Sequence, residues 1–353
     1  MESKNSILVL YTEFMPYNVS AFGQLAKDSD ADVYVVFWDT RKVSAYQPEK
    51  CDGLIYIPRS SITYLFLTDF LRKHRPKLVF VSGWADKLYL RIAYKARRLN
   101  INVIVGLDNH WVGNLRQILL GFLFKLARPY FFSCAFVPGV QQYHYSRRLG
   151  FKHTQILTGA YTANTNSFAN ADKSVKASSR KKSILFVGRL EKVKGVDLLI
   201  NCFAEIIQKR HDLSDWKIYF VGEGTLVDTI PNSTAFIRMG FMTQQDISKL
   251  TEEVSFFCLP SRNEPWGLVV HEMSAAGLPM LLSDQCGAAT EFLVPGFNGL
   301  IFRGEDSQDL QEKLIEMMML NETQWMEWSR NSVLLSTRNS SEIWAKKLTS
   351  VIN

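Results

Sequence analysis

The sequence predicts an α/β protein of two domains, each a doubly wound parallel sheet with helices on both faces, facing each other across a cleft. Three observations carry that expectation. At 353 residues the chain exceeds one ordinary domain, so two cores are expected. Short apolar runs alternate with helix-period segments along its length, the pattern of parallel strands joined by crossover helices. Midway, FANADKSVKASSRKKS (168–183) interrupts the alternation with small, polar and basic residues and reads as a linker. The expected divisions are a first domain over 1–170, a linker over 171–182, a second domain over 183–323 and a helical tail over 324–353.

In the first domain, SILVLY (6–11), ADVYVVFW (31–38), LVFVSG (78–83), INVIVGL (101–107) and CAFVPG (134–139) read as buried strands. Helix-period segments such as KLYLRIAYKARRLN (87–100) lie between them. The second domain repeats the plan. Its strands are SILFVG (183–188), KIYFVGEG (217–224), AFIRMGF (235–241), VSFFCLPS (254–261), PMLLSD (279–284) and GLIFRG (299–304). The tail is mostly helical, with Trp325, Trp328 and Trp344 as anchors, and is expected to pack back towards the first domain. Ligands of such sheets sit at the carboxyl ends of the strands.

Composition narrows the class. Apolar residues make up 47% and charged residues 21%, the profile of a folded soluble protein. No run of 18 apolar residues marks a membrane span, and the polar start MESKNSILVLYTEF does not read as a secretory signal. The five scattered cysteines lack metal-ligand spacing and read as reduced thiols of a cytoplasmic protein. The net charge of +7 is uneven: up to residue 170 there are 21 Lys+Arg against 11 Asp+Glu, and beyond it 20 against 23. The basic half suits an anionic partner, either phosphate, membrane surface or nucleic acid; its alternative is a solvated basic face without a partner. A nucleic-acid module with aromatics interleaved among the basic faces is not found.

Two stretches carry chemistry. SILFVGRLEKVKGVDLLI (183–200) reads as strand, turn and helix, with Gly188, Arg189 and Lys194 on the turn. Two cations beside a helix amino terminus suit a diphosphate, because fixed charge and free N–H groups add. SRNEPWGLVVHEMSAAG (261–277) holds two carboxylates. Glu264 belongs to the loop before a helix, and Glu272 sits about one turn inside it. The helix start, Gly267, Leu268 and Val269, aims its N–H groups into the same region as Arg189 and Lys194. Nothing here sets two carboxylates on opposite sides of one bond, about 5–10 Å apart, as glycoside hydrolysis requires. The pair reads as a grip on hydroxyl groups.

FVGRLEKVKG, LPSRNEPWGLVVHEMSAAGLP and CGAATEFLVPGFNGLIF, in this order over 183–304, resemble the retaining GT-B glycosyltransferases of family 4, whose fold pairs two Rossmann-like domains. The resemblance implies that Arg189 and Lys194 hold the donor diphosphate and offset charge on the leaving group. It implies that Glu264 binds hydroxyls of the transferred sugar, that Glu272 binds the ribose, and that the backbone at Gly267, Leu268 and Val269 contacts phosphate or sugar. Gly188, Gly222 and Phe241 join the donor side, Gly222 on a loop near the nucleotide base. The substrate would be a UDP- or GDP-linked sugar, with no cofactor and no metal, and the reaction a front-face substitution supported by electrostatic stabilisation. His110, in GLDNHWVGN (106–114), either touches the donor sugar as the catalytic group of the first domain or is a satisfied structural histidine. Asp108 and Asn109 would face the acceptor, as would Met15 and Asn18.

The sequence departs from the family in three places. YTEFMPYNVSAFGQLA (11–26) lacks the paired glycines of the first strand–helix loop, so either Met15–Asn18 supply the backbone contact or the loop serves the acceptor alone. Met-Ser-Ala-Ala-Gly follows Glu272 where Ala-Met-Ala is usual, and Cys286-Gly287 replaces a common Gly-Gly, which would narrow the sugar pocket. His271 turns away from Glu272 by about 100° and reads as structural. DSDAD (28–32) reads as a polar turn, and VGEGTL (221–226) lacks the third glycine of a dinucleotide fingerprint.

RQILLGFLFKLARPYFF (116–132) sets Arg116, Lys125 and Arg128 among long apolar residues. It reads either as an interfacial helix in peripheral contact with an anionic membrane or as an ordinary buried helix. The function expected is a retaining glycosyltransferase acting on a lipid-linked or surface-polysaccharide acceptor such as a lipopolysaccharide precursor, at the inner face of the cell membrane. The alternatives are a sugar-nucleotide epimerase on the same fold and a non-catalytic nucleotide-sugar-binding protein.

Overall fold

The computed structural model describes residues 5–40, 48–168 and 181–352. Residues 169–180, the larger part of the expected linker, lie outside the described residues. The chain forms two compact units, one of residues up to Thr162 and from Asn339 onward, the other of Ala163–Arg338.

The first unit runs β1 (Asn5–Tyr11), α1 (Pro16–Ser29), β2 (Ala31–Phe37), β3 (Leu54–Pro58), α2 (Tyr64–His74), β4 (Leu78–Val81), α3 (Lys87–Arg98), β5 (Asn102–Gly106), α4 (Leu115–Phe131), β6 (Cys134–Val137), α5 (Val140–Arg148) and β7 (Ile156–Thr158). The seven strands are parallel in the order β3-β2-β1-β4-β5-β6-β7, so the direction of winding reverses between β1 and β4. Ile7, Leu8, Val9 and Leu10 of β1 are all fully buried, because helices cover both faces of a parallel sheet. The apolar runs of β1, β2, β4, β5 and β6 follow the sequence reading. β3 and β7 were not read from it. Both are edge strands; β3 ends on Pro58 and exposes Ile55, and β7 has three residues, so neither shows the continuous apolar run of a central strand.

The second unit runs β8 (Ser183–Val187), α6 (Val196–Lys209), β9 (Lys217–Val221), β10 (Phe236–Gly240), α7 (Gln244–Thr251), β11 (Phe256–Leu259), α8 (Leu268–Ala275), β12 (Met280–Ser283), α9 (Ala289–Phe292), β13 (Gly299–Phe302), α10 (Ser307–Met318) and α11 (Glu322–Ser336). Its six strands are parallel in the order β10-β9-β8-β11-β12-β13, with the reversal between β8 and β11. Each coincides with a segment read as a strand from sequence.

The two helices of the expected tail belong to different units. α11 packs on α8, and Trp325 donates its indole N–H to the Ser255 carbonyl at 2.6 Å. α12 (Ser341–Ile352) lies on α1, where Trp344 meets Phe22 edge-on at 4.8 Å and donates to the Ala160 carbonyl at 2.8 Å. All five cysteines are free thiols, and Cys202, Cys258 and Cys286 are buried.

Candidate functional site

In the second unit the candidate site grows from the two strands that flank the reversal. After β8 the chain passes Gly188 and Arg189, makes a turn of 3-10 helix over 192–194, and enters α6 through Gly195. Gly195 has φ +71°, and a Cβ there would stand 2.0 Å from the Pro260 carbonyl oxygen. Only glycine lets this turn close against the loop leaving β11. The same device recurs at Gly222, φ +134°, whose Cβ would lie 2.0 Å from the Gly188 carbonyl oxygen. The β8 turn is thus held from both sides.

The loop after β11 is lashed to that turn. The Arg262 N–H donates to the Val193 carbonyl at 2.9 Å, and its guanidinium forks onto both oxygens of Asp197 at 2.7 and 3.0 Å. Glu264 is fixed at both backbone groups: its N–H donates to the Gln285 carbonyl at 3.2 Å, and its carbonyl accepts from Gly287 at 2.9 Å. Its carboxylate forms an ion pair with the Lys194 ammonium, and the Ser261 hydroxyl reaches the same carboxylate oxygen at 3.5 Å. Both members of the pair are largely withdrawn from solvent, so the attraction between them is screened less than at an open surface. Arg189, by contrast, is exposed and has no ion pair among the described residues.

Gly267 precedes α8, and no side chain caps that helix. The half-buried Gly267, Leu268 and Val269 therefore bring first-turn N–H groups to the same mouth. Glu272 lies one turn further in and is buried. Gln244, the first residue of α7, donates to its carboxylate at 2.9 Å, while burial pushes the carboxyl up to about 7. Glu264 and Glu272 thus answer to different partners. Gly222 adjoins the end of β10 through its N–H bond to the Gly240 carbonyl at 2.7 Å, and Phe241 follows as an exposed ring. Cys286 turns its thiol to the Trp266 carbonyl at 3.5 Å and is buried, which pushes it up to about 12.

His271 is structural. Its Nδ1 accepts from the Ala163 N–H at 3.0 Å, so the Nε2–H donates to the Ser336 carbonyl at 2.9 Å, and the ring stacks on Phe292 at 4.1 Å. With the Ser274 hydroxyl bonded to the Ser332 carbonyl at 2.7 Å, it seats α8 on α11 and fixes where Glu272 points.

In the first unit the reversal between β1 and β4 opens a cavity of about 270 Å³ at the carboxyl ends of β1, β4 and β5. Asp108 and Asn109 line it, together with Glu13, Tyr11, Tyr17, Trp84 and Tyr161. Tyr161 donates to Asp108 at 3.0 Å, and burial holds the three tyrosine hydroxyls well above their usual range, Tyr17 at about 12. Among the described residues no Lys or Arg lines the cavity. Met15 and Asn18 do not line it either. Met15 is the residue before α1, and buried Asn18 donates to the Glu13 carbonyl at 3.4 Å and bonds the Tyr11 and Tyr17 hydroxyls, so Asn18 supports the wall. His110 follows β5 outside the cavity lining; its carbonyl accepts from Gln117 at 2.9 Å, and its buried Nδ1 has no hydrogen-bond partner among the described residues. Glu13, Tyr17, Trp84, Tyr161 and Gln244 were missed from sequence, where no motif surrounds them.

DSDAD falls at the end of α1, where Asp30 adopts a left-handed cap, and it is a turn at the amino end of β2.

Residues 167–332 match the model of the glycosyl transferases group 1 family. An uncharacterised glycosyltransferase of Methanocaldococcus jannaschii is 30% identical over 134 residues, 38% of this chain and 37% of that protein. The chain spans about half or less of the length of the curated relatives it matches. Among solved structures, a glycosyltransferase of Rickettsia africae superimposes with a TM-score of 0.76 at 12% identity, covering 99% of this chain and 98% of that one. The HepE protein of Anabaena, in complex with UDP and glucose, gives 0.69 at 14% identity, with 98% of each chain covered. The fold is the GT-B fold of these proteins.

Proposed function

We propose that this protein is a retaining, metal-independent glycosyltransferase of family 4 that moves a sugar from a UDP- or GDP-linked donor to a hydroxyl of a lipid-linked or surface-polysaccharide precursor. The observation that carries the reading is the Lys194–Glu264 pair, set between Arg189 and the uncapped start of α8 at the reversal of the second sheet. A doubly wound sheet binds ligands at this point. Fixed cations and helix N–H groups there suit a diphosphate, and a carboxylate beside them suits sugar hydroxyls. The HepE structure that shares the fold holds UDP and glucose.

In this reading Arg189 and Lys194 hold the diphosphate while the bond from the anomeric carbon to phosphate oxygen breaks. The acceptor oxygen forms its bond on the same face, and the departing phosphate oxygen takes the acceptor proton. Preorganised positive charge on the leaving group does most of the work. Glu264 positions the sugar, Glu272 the ribose, and Phe241 stacks on the base. Whether His110 touches the sugar is tested by His110→Ala, expected to lower turnover without weakening nucleotide binding. The first-unit cavity takes the acceptor. Its two carboxylates, with no cation among the described lining residues, suit a neutral hydroxyl-bearing ring, which Asp108 or Asn109 orients and Trp84 covers.

A thermal-shift panel of nucleoside diphosphates and their sugars tests the donor, since a specific ligand raises apparent stability. UDP or GDP is expected to stabilise the protein, and an absence of response to every nucleotide overturns the reading. Incubation with the donor alone separates transfer from epimerisation, which would yield an isomer without any acceptor.

A further inference from the structure

α4 is the most apolar exposed element of the first unit. Leu115, Leu119, Phe122, Leu123, Leu126 and Tyr130 are each 61–79% exposed. At about 100° per residue these six fall within an arc of about 100° on one side of the helix, the width of an ordinary core-facing stripe. Here the stripe points to solvent. The opposite side supplies the packing: Phe124 meets Trp84 at 4.8 Å, and Phe131 meets Tyr94 at 5.7 Å. The choice of face is fixed at both ends. Asn114 caps the first turn by accepting from Gln117 at 2.8 Å, and buried Arg128 donates to the Gly150 carbonyl at 2.7 Å while lying over the Phe151 ring.

Charge identifies what covers the stripe. Exposed Arg116 lies about 20° beyond one margin of the arc and exposed Lys125 about 60° beyond the other. From residue 87 to residue 168 the sequence holds eleven Lys and Arg against one acid, Asp108. Exposed Arg91 and Arg98 lie on α3, which packs on α4, and exposed Arg147 and Arg148 lie on α5. A second copy of this face would set cation against cation, so self-association is opposed. At about 25 Å the 17-residue helix is too short to span a bilayer, and among the described residues no helix is long and apolar enough to cross one.

We propose that α4 lies in the plane of an anionic phospholipid surface, its apolar stripe among the acyl chains and Arg116 and Lys125 at the headgroups on either side. An exposed apolar stripe edged by cations is the composition of a helix that binds by burial and charge together. This surface would bring the first-unit cavity to an acceptor carried on lipid. Every residue invoked belongs to the first unit, so the nucleotide response of the second serves as a separate control.

Flotation of the full chain with phosphatidylserine–phosphatidylcholine vesicles, against phosphatidylcholine alone, tests the surface. The protein is expected to float with the anionic vesicles at low salt and to be released as salt rises. Leu119→Glu with Leu123→Glu should lower partitioning at least about tenfold, and Arg116→Glu with Lys125→Glu should erase the preference for anionic lipid. Thermal melting and the response to UDP are expected to stay at wild-type values. Leu119→Trp gives an independent reading, with its emission shifting to the blue on vesicle addition. Absence of flotation, flotation unchanged in both double variants, or a dimer that Leu119→Glu with Leu123→Glu converts to monomer overturns the proposal. Loss of the UDP response with flotation intact would count against the donor reading alone.

Discussion

In the second unit the mouth of the sheet is furnished mainly by two short stretches, 188–195 and 260–272, each running from a strand through a turn into a helix. In the first unit the corresponding mouth draws on four separated places: the end of β1 with Tyr17, residues 82–85, residues 106–109, and Tyr161. The second mouth is polar by fixed charge and backbone, the first by tyrosines, a tryptophan and two carboxylates. Glycine allows the second to be tight, since Gly195 and Gly222 bring backbone against backbone. Aromatic side chains make the first roomy and shape-dependent. In the proposed function the former suits a grip on phosphate and the latter a choice among acceptors.

The largest effects should come from the cations of the second mouth, and they should differ in kind. Arg189→Ala and Lys194→Ala are each expected to lower turnover by about 10²–10³-fold, the cost of removing one preorganised donor from a developing charge. Arg189 is exposed, so its loss should leave stability within about 0.5 kcal/mol of wild type. Lys194→Ala strands the largely buried Glu264 and should cost about 1–3 kcal/mol as well. Steady-state kinetics with thermal melts on the same variants check both. Near-normal turnover in the two variants would remove the reason to place the diphosphate there.

Next is Glu272. Its carboxyl is raised in the folded state to about 7, from an ordinary value of 4.5. Between those values the native protein holds a proton that the unfolded chain has released. This group's contribution to stability is therefore fullest below about 4.5, is lost as pH rises to about 7, and is constant beyond. The loss amounts to at most about 3 kcal/mol. Glu272→Gln keeps the shape and abolishes the charge, so it should flatten this part of the stability profile and raise the melting temperature at alkaline pH. In the proposed function ribose hydroxyls donate to the ionised form, so affinity for the nucleotide should rise with pH towards about 7, and Glu272→Gln should weaken binding and remove the rise. Calorimetry in buffers of different ionisation enthalpy would show the proton released.

The legible part of this protein was the part written contiguously. All six strands of the second unit stand in the sequence as apolar runs, and the placement of Gly188–Gly195 and Glu264–Glu272 on turns and helix starts was legible because each stretch is one strand, turn and helix. The Lys194–Glu264 contact joins residues 70 positions apart and needed the fold. Tyr161 reaches Asp108 only because the chain returns past β7, itself too short to read. The tail reads as one helical stretch, yet α11 and α12 pack in different units. Its tryptophans signal burial but not against what. α4 shows the same limit from the other side, since a sequence pattern gives the width of an apolar stripe and not the side that stays open.

Asp108 tests the first mouth by itself. If the cavity takes a neutral ring, Asp108→Asn removes a charged acceptor of hydrogen bonds and leaves Tyr161 a neutral partner. KM for the acceptor should rise by about tenfold, worth about 1.4 kcal/mol, with nucleotide binding unchanged. Asp108→Lys should instead admit phosphorylated sugars that the wild type rejects. Equal use of neutral and phosphorylated acceptors by the wild type would break the contrast between the two mouths.

The smallest effect expected is at Gln244. Its amide is the donor that favours the ionised form of Glu272, at 2.9 Å, within a site that otherwise disfavours charge. Gln244→Ala should cost about 1 kcal/mol and move the Glu272 titration further upward, because burial then acts without its counterweight. Gln244→Glu would set two carboxylates together and raise it further still. The order wild type, Gln244→Ala, Gln244→Glu should therefore appear in the pH at which nucleotide affinity levels off. A midpoint that stays fixed across the three would mean that Glu272 is not the group whose ionisation governs binding, whatever its place in the fold.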